Sequence, residues 1–405
     1  MYLVIHNIDV VRLPGRESIP AHSLQIGLDA DSREWTLSAT LLGPEAIDAV
    51  RPDGHGPAIL EASINGHVWQ FRVDEWAQSL QFGKRGASIR GRSLSAELGA
   101  PWQLPASGAS TSLETAQSLA AGFLPDGWAL TWPAADWLIP AGAWSYRDKV
   151  PIQAIQAIAE AAGAIVIPAK AGRALKVQAR YPVAPWSFTE STPDLIIPEA
   201  SITGLQFGSA VEDQGNAVFV HGGPVGGVLA RILRTGTAGD RTIPTVADDL
   251  ITDTDAALAR GIRELAKHHA QPEVRSFTMP LGGAYPLCEV GYLVRVEAGG
   301  VHRGIVNAVG IEVGRSGEGL TVRQTVTLGE QTPNLWSGFS ALLPAEPLMI
   351  GEVLGPAGDG AVTVRLVNGG TLTAKGAGAV GAAVYVRAGR IEGPAPEMPV
   401  SEFET

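Results

Sequence analysis

Residues 59–73 read ILEASINGHVWQFRV, and their reading decides the fold class. Leu60, Ala62 and Ile64 alternate with polar neighbours, Asn65-Gly66 follows, and Trp69, Phe71 and Val73 then alternate on the far side. A period of two places every second side chain on one face of a strand, and Asn-Gly accepts the positive φ that a tight hairpin turn demands. The stretch predicts a half-buried β-hairpin. Upstream, Leu24, Ile26 and Leu28, then Trp35, Leu37, Ala39 and Leu41, repeat the same period. Downstream, a strand through Ala87 and Ile89 ends at Gly91-Arg92-Ser93, and SLSAELG predicts a short helix before Trp102. These residues predict a first β domain over 1–102.

From 103 to 200 the pattern changes to α+β. Thr111 and Glu114 have capping-box spacing and predict a helix start there, with Leu113, Ala116, Leu119, Ala120 and Phe123 on its apolar face. A second helix is expected to begin at Pro151, carry Ile152, Ile155 and Ile158 inward and stop at Gly163; the strands AIVIPA and ALKVQARY follow around Gly172. Strand signals return in 201–335, with one helix at about 253–270. Four or five short strands between 345 and 395, separated by Gly-rich turns, predict a small barrel of OB or SH3-like type. The Pro- and Glu-rich tail from Gly393 is expected to fray.

Composition narrows the function. The chain has 405 residues, 45% of them apolar and 18% charged, so it can bury a sizeable core; 49 Gly and 28 Pro suit short strands and many turns. A net charge of −11 argues against a duplex clamp built on phosphate neutralisation. No secretory leader pattern or membrane-length apolar run is read, so no membrane insertion is expected. Cys288 is the only cysteine, which excludes an intrachain disulfide and argues against a cysteine-based zinc site.

No catalytic constellation emerges. There is no Gly-x-Ser-x-Gly elbow, and Glu264, His268 and His269 in RELAKHHAQ only approach a zinc motif, so they are read as a solvated last helical turn. The glycines after VFVHGG lack dinucleotide-loop spacing, so His221 is read as a strand-end residue and His55 as a turn residue. The pairs Asp74-Glu75 and Asp248-Asp249 are adjacent in sequence and do not face one another across a glycosidic bond. Trp102, Trp128, Trp132, Trp137 and Trp144 would suit a carbohydrate platform, but core packing accounts for them as well. The chain is therefore read as a non-enzyme with no cofactor, no metal and no catalytic residues.

The order of pieces carries a resemblance. SLQIGLDADSREWTLSATL, ILEASINGHVWQFRVDEW and GASIRGRSLSAELGAPW resemble the first tube domain of phage baseplate hub, or tail hub, proteins. PIQAIQAIAEAAGAIVIPAKAGRALKVQARYP resembles their α+β insertion. DTDAALARGIRELAKHHAQPEV and YPLCEVGYLVRVEAGGVHRGIVNAVGIEV through VRQTVTLGE resemble their second tube domain. The resemblance implies an α+β, β-rich fold with two tail-tube-like β-barrels and the small C-terminal barrel. It also implies a homotrimer at the virion tail tip or baseplate, joining a hexameric tail-tube protein to a trimeric spike or tip protein and contacting other baseplate or distal tail proteins. DNA would pass through its channel without specific binding, and three copies would triple the negative charge. The alternatives are a tail-associated carbohydrate-binding module or cell-wall hydrolase, and the hub of a phage-tail-like particle.

Overall fold

Alternation sets the strands. In Ala21–Asp29 and Thr36–Leu41, Leu24, Ile26, Leu28, Leu37, Ala39 and Leu41 are buried, while Gln25, Thr36, Ser38 and Thr40 point outward. Asn65 and Gly66 take φ of 50° and 87°, as the hairpin requires, and join Ile59–Ile64 to the long strand His67–Gln81 with Ile64 opposite His67. Lys84–Ser93 returns alongside, and its register against His67–Gln81 shifts between Val73 and Glu75. Gly91 faces that bulge, where an added Cβ would lie 2.5 Å from the Arg72 carbonyl oxygen, so only glycine lets the two backbones close. The short helix before Trp102 is a 3-10 turn, Leu94–Leu98.

The computed structural model describes residues 6–52, 56–81, 84–208, 214–269, 273–316, 319–329, 348–395 and 400–405. Strands from the two chain-distant β regions are hydrogen-bonded into one 13-stranded sheet. Its main path runs Gly204–Phe207, Val274–Pro280, Gly319–Leu328, Val301–Ser316, Ala21–Asp29, Thr36–Leu41, Lys84–Ser93, His67–Gln81, Ile59–Ile64, Ile8–Leu13 and Glu17–Ser18. Leu195–Pro198 and Leu293–Glu297 branch from the first part of Val301–Ser316. The seam is antiparallel, with Ala308 opposite Asp29 and Val313 opposite Leu24. Two separate closed barrels are therefore not what the strand pairing of one chain makes: alternation shows which face is buried, and says nothing about which strand lies beside which. One core serves both halves, with Trp35, Trp69 and Phe71 in the same cluster as Phe277, Val309 and Val326. Each such side chain contributes roughly 1.5–3 kcal/mol by leaving water.

The insertion carries helix α1 (Ala116–Ala121) and helix α2 (Pro151–Ala161) beside the hairpin Ala164–Pro168 and Ala174–Ala179. The expected helix start at Thr111 lies four residues too early. Thr115 is the cap, its hydroxyl accepting from the Ser118 amide at 3.1 Å, while Glu114 pairs with Ile139 in a short two-stranded sheet. Helix α2 begins at Pro151 as read, buries Ile152, Ile155 and Ile158, and gives way at Gly163 with φ of 63°. A Cβ at Gly163 would lie 2.8 Å from Arg263 on helix α3 (Thr254–Lys267), so the glycine also lets the two helices approach.

Between its second-half strands the chain builds a separate four-stranded sheet ordered Val246–Ala247, Ala217–His221, Leu229–Leu233 and Val400–Glu404, with α3 packed over its own apolar cluster. The tail beyond residue 399 is thus a strand rather than a frayed end. Val400–Glu404 lies parallel to Leu229–Leu233, and Trp186 Nε1 donates to the Thr405 carbonyl at 3.0 Å. The barrel read at 345–395 closes through Met349–Gly358, Ala361–Leu366, Thr371–Lys375, Arg390–Pro394 and Ala383–Arg387, around Val353, Val364, Ala374 and Val386. No helix among the described residues is long and apolar enough to cross a membrane.

Candidate functional site

A shaped surface covers the outward face of the sheet, centred on the seam. Because side chains alternate, the residues opposite the core cluster form continuous cross-strand rows. One row runs Gly204, Thr278, Thr325, Gly310, Gly27, Thr36 and Arg92, and the next runs Pro280, Arg323, Glu312, Gln25, Ser38, Arg90 and Glu75. Both rows cross from the second half into the first without a break. Thr278 and Thr325 share a hydroxyl hydrogen bond at 3.0 Å, and Arg92 Nε donates to Asp74 at 2.6 Å. The Asp74 hydrogen bond holds the Arg92 pKa above its ordinary value. Between the rows lies a groove of about 640 Å³ lined by residues of both halves, among them Gln25, Thr36, Ser38, Arg90, Glu312 and Thr325.

This face mixes small residues, Gly27, Thr36, Ser38, Thr278, Gly310 and Thr325, with paired long charged ones. Its charges balance, with Arg90, Arg92 and Arg323 against Asp74, Glu75 and Glu312, so the chain's excess of acid sits elsewhere. Nothing on it resembles a nucleophile beside a base or a ligand set, and no group of three His, Cys, Asp or Glu residues among the described residues could hold a metal ion.

The rows are held in place from behind. Arg180, its side chain 3% exposed, leaves the insertion hairpin and donates to Asp31 at 2.5 and 3.1 Å and to Asn307 Oδ1 at 2.8 Å. Asp31 follows the first-half seam strand and Asn307 belongs to the second-half one, so a single guanidinium ties the insertion to both sides of the seam. Burial pushes the Asp31 carboxyl up, but the bond to Arg180 and the nearby Arg263 and Lys267 bring it below its ordinary value. Trp35 Nε1 donates to the Pro168 carbonyl at 3.2 Å, a second tie between first half and insertion.

The residues singled out in the sequence are not brought together. Glu264 is 9% exposed and is occupied by Arg260 at 2.9 Å, Arg263 at 3.1 Å and Lys267 at 3.0 Å. His268 caps α3, whereas the His269 ring lies edge-on to Trp186 and accepts from Arg234 at 3.2 Å. The expected solvated last turn is thus half-buried and filled with ion pairs and an aromatic contact. His221 is fully buried, its Nδ1 donating to the Gly222 carbonyl at 3.0 Å, and burial lowers its pKa. The glycines after it exist for packing: a Cβ at Gly222 would lie 2.0 Å from the Ile251 carbonyl oxygen. Asp248 accepts from the Leu250 amide at 3.0 Å. Burial pushes the Cys288 thiol up to about 12. His55 lies outside the described residues. Of the five tryptophans, Trp137 and Trp144 are buried, Trp128 and Trp132 pack against the same cluster, and Trp102 lies 3.8 Å from the Arg72 guanidinium. They form no open platform. The polar rows escaped the sequence reading because their signal, the outward half of each alternation, shows no partners until the strands are ordered.

No family model matches the sequence, and no curated protein matches it by sequence. Solved structures do. A tail protein from Neisseria meningitidis MC58 superposes with a TM-score of 0.55 at 13% identity, over 80% of this chain and 96% of that one. The 43 kDa tail protein of prophage MuSo2 from Shewanella oneidensis gives 0.53 at 12% identity, over 79% and 98%. The E. coli c3393 protein, a type VI secretion component described as similar in structure to the T4 tail proteins gp27 and gp5, gives 0.50 at 11% identity, over 95% and 99%. The chain has the fold of phage tail and tail-hub proteins.

Proposed function

We propose that this chain is a non-enzymatic structural component of a phage tail: a trimeric tail or baseplate hub whose polar sheet face lines a channel. The carrying observation is the pair of unbroken rows. Two chain-distant units share one sheet, bury one side of it together and turn toward solvent a continuous surface of Ser, Thr, Gly and Gln with balanced charge. A surface of this kind gives DNA no net positive charge for counterion release. DNA would pass it without specific binding.

In this reading residues 1–102 and 201–335 supply two tube-like units, 103–200 is the supporting insertion and 345–395 the terminal barrel. Three chains then present six tube-like units to a hexameric tail-tube protein on one side and three-fold symmetry to a spike or tip protein on the other, with other baseplate or distal tail proteins around the rim. The location is the virion tail. The likeness to the type VI component supports a second reading, the hub of a phage-tail-like particle, built from the same surfaces.

The test is mass measurement and co-sedimentation of the purified chain with its tail-tube protein. A trimer that binds tube ends supports the hub. A monomer that ignores the tube and cleaves or binds cell-wall glycan would replace it with the hydrolase or carbohydrate-binding alternative.

A further inference from the structure

The C-terminal barrel meets the rest of the chain across a buried joint. Along Ala383–Arg387, Val384 and Val386 point into the barrel's own centre, so Tyr385 between them points out of it. Ile350 lies opposite Tyr385 on the same outer face, yet Tyr385 is 3% exposed and Ile350 6%. That face is turned toward the four-stranded sheet. The Asp249 carboxylate, seated where a Cβ at Gly223 would lie 2.4 Å from its Oδ1, acts on the Tyr385 hydroxyl and on the His221 ring alike. The backbone of Leu348, which leads into the barrel, lies against the same ring.

The joint is polar where it is driest. His221 is 0% exposed, and its Nδ1 is taken by the Gly222 carbonyl. Its Nε2 and the Tyr385 hydroxyl are both buried with no hydrogen-bond partner among the described residues. A buried polar atom without a partner costs free energy that water would return, so separating the barrel from the sheet relieves both groups at once. The surroundings also ask for a neutral ring. Leu229 and Ala247 flank it on the neighbouring strands, and Asp248, whose amide donates to the His221 carbonyl at 3.1 Å, lies 3.9 Å from Arg260. Burial lowers the His221 pKa below the usual 6.5, outweighing the Gly222 and Leu348 carbonyls and Asp249, which favour a charged ring. Docking is therefore strongest above that value and weakens as pH falls below it, because the open form takes up the proton more readily.

We propose that the joint between the C-terminal barrel and the four-stranded sheet is an acid-opened latch: protonation of His221 releases the barrel as a folded unit. Val400–Glu404, paired with Leu229–Leu233 beyond the barrel, keeps the released barrel on a tether.

The experiment reads the opening by maleimide labelling of thiols placed in the full chain. Ile350→Cys reports the joint, Lys375→Cys, exposed on the same barrel, corrects for the thiol's own response to pH, and Val364→Cys reports the barrel interior; buried Cys288 stays silent. From about pH 7.5 to about pH 5.5 the labelling rate at Ile350→Cys relative to Lys375→Cys is expected to rise about tenfold, the factor set by one histidine of ordinary pKa in the open form. Val364→Cys is expected to stay protected throughout, and in a His221→Gln background the ratio is expected to stay flat. A flat ratio with His221 in place, or an equal rise in the His221→Gln background, would overturn the latch. Labelling of Val364→Cys in step with Ile350→Cys would overturn it too, because the barrel would then be melting rather than leaving. If His221→Gln loses its calorimetric transition, Tyr385→Phe decides. Removing the second partnerless group is expected to slow labelling at Ile350→Cys about fivefold with the rise toward acid kept, and an unchanged rate would contradict the latch.

Discussion

The two halves of the large sheet are laid down differently: the first leaps across itself without leaving the sheet, and the second pairs neighbouring strands but leaves the sheet between them. From Ile8 to Ser93 the chain crosses from the outer pair Ile8–Leu13 and Glu17–Ser18 to the seam strands Ala21–Asp29 and Thr36–Leu41, returns to Ile59–Ile64 beside Ile8–Leu13, and fills the gap with His67–Gln81 and Lys84–Ser93, turning at Asn65-Gly66 and bulging opposite Gly91. The second half takes Gly204–Phe207, leaves to build the four-stranded sheet and α3, and resumes at Val274. Yet Trp69 and Phe277 lie in one cluster, and the polar rows cross the seam unbroken. The comparison teaches that the shared core and the shared face, rather than sequence proximity, define the unit.

If that is right, damage to either half should destroy both. Trp69→Asp and Phe277→Asp each place a charge at a site no more than 1% exposed and are expected to cost about 5 kcal/mol or more. Each should abolish the same calorimetric transition while the C-terminal barrel, which has its own apolar centre, keeps its own. Loss of one half with the other still melting normally would break the comparison and restore two independent domains.

A smaller effect is expected at the tie behind the seam. Arg180→Met leaves Asn307 and Asp31 without the guanidinium and should destabilise by about 3 kcal/mol in chemical denaturation. The Asp31 side chain is desolvated only where it meets Arg180 and keeps most of its surface in water, so the cost comes from the lost charged bonds and the buried Asn307 acceptor left behind. If the insertion alone loosened, as read by hydrogen exchange, Arg180 would not couple the halves.

Next comes the unit that interrupts the second half. Burial pushes the Glu264 carboxyl up, but Lys267, Arg260 and Arg263 outweigh it and hold its pKa below the usual 4.5. A depressed folded pKa means a contribution that is full above the unfolded value and lost as pH falls through the folded one. Glu264→Gln is therefore expected to cost about 2 kcal/mol at pH 7 and progressively less below about pH 4. A difference that held constant down to pH 3 would show that the charge is not what matters.

Least of all should happen on the polar face. Arg90→Gln and Ser38→Ala sit on the outward side and are expected to stay within about 0.5 kcal/mol of the parent. If either lowered stability strongly, the face would belong to a hidden core within one chain.

Local structure was legible in the sequence wherever one residue type has one physical reason. Pro151 and Gly163 bracket α2, Asn65-Gly66 makes its hairpin, and the alternation around Leu24, Leu37 and Trp69 names the buried face. The start of α1 was misjudged because Thr111 and Glu114 have the spacing of a cap, whereas a strand pair takes Glu114 and hands the role to Thr115. The tail was misjudged because Pro and Glu composition says nothing of the open edge at Leu229–Leu233 that binds it. The polar rows were invisible for the same reason: a neighbour 283 positions away along the chain, such as Gly310 to Gly27, leaves no local mark.

The central claim is that the face carrying Gln25, Ser38, Arg90 and Glu312 looks into a channel built by three copies. Cryo-electron microscopy of the chain bound to its tail-tube protein tests it most directly. The account predicts a three-fold ring capping the tube, with this face lining the central opening. A ring whose opening is lined by the insertion or the terminal barrel, with the rows turned outward, would contradict it.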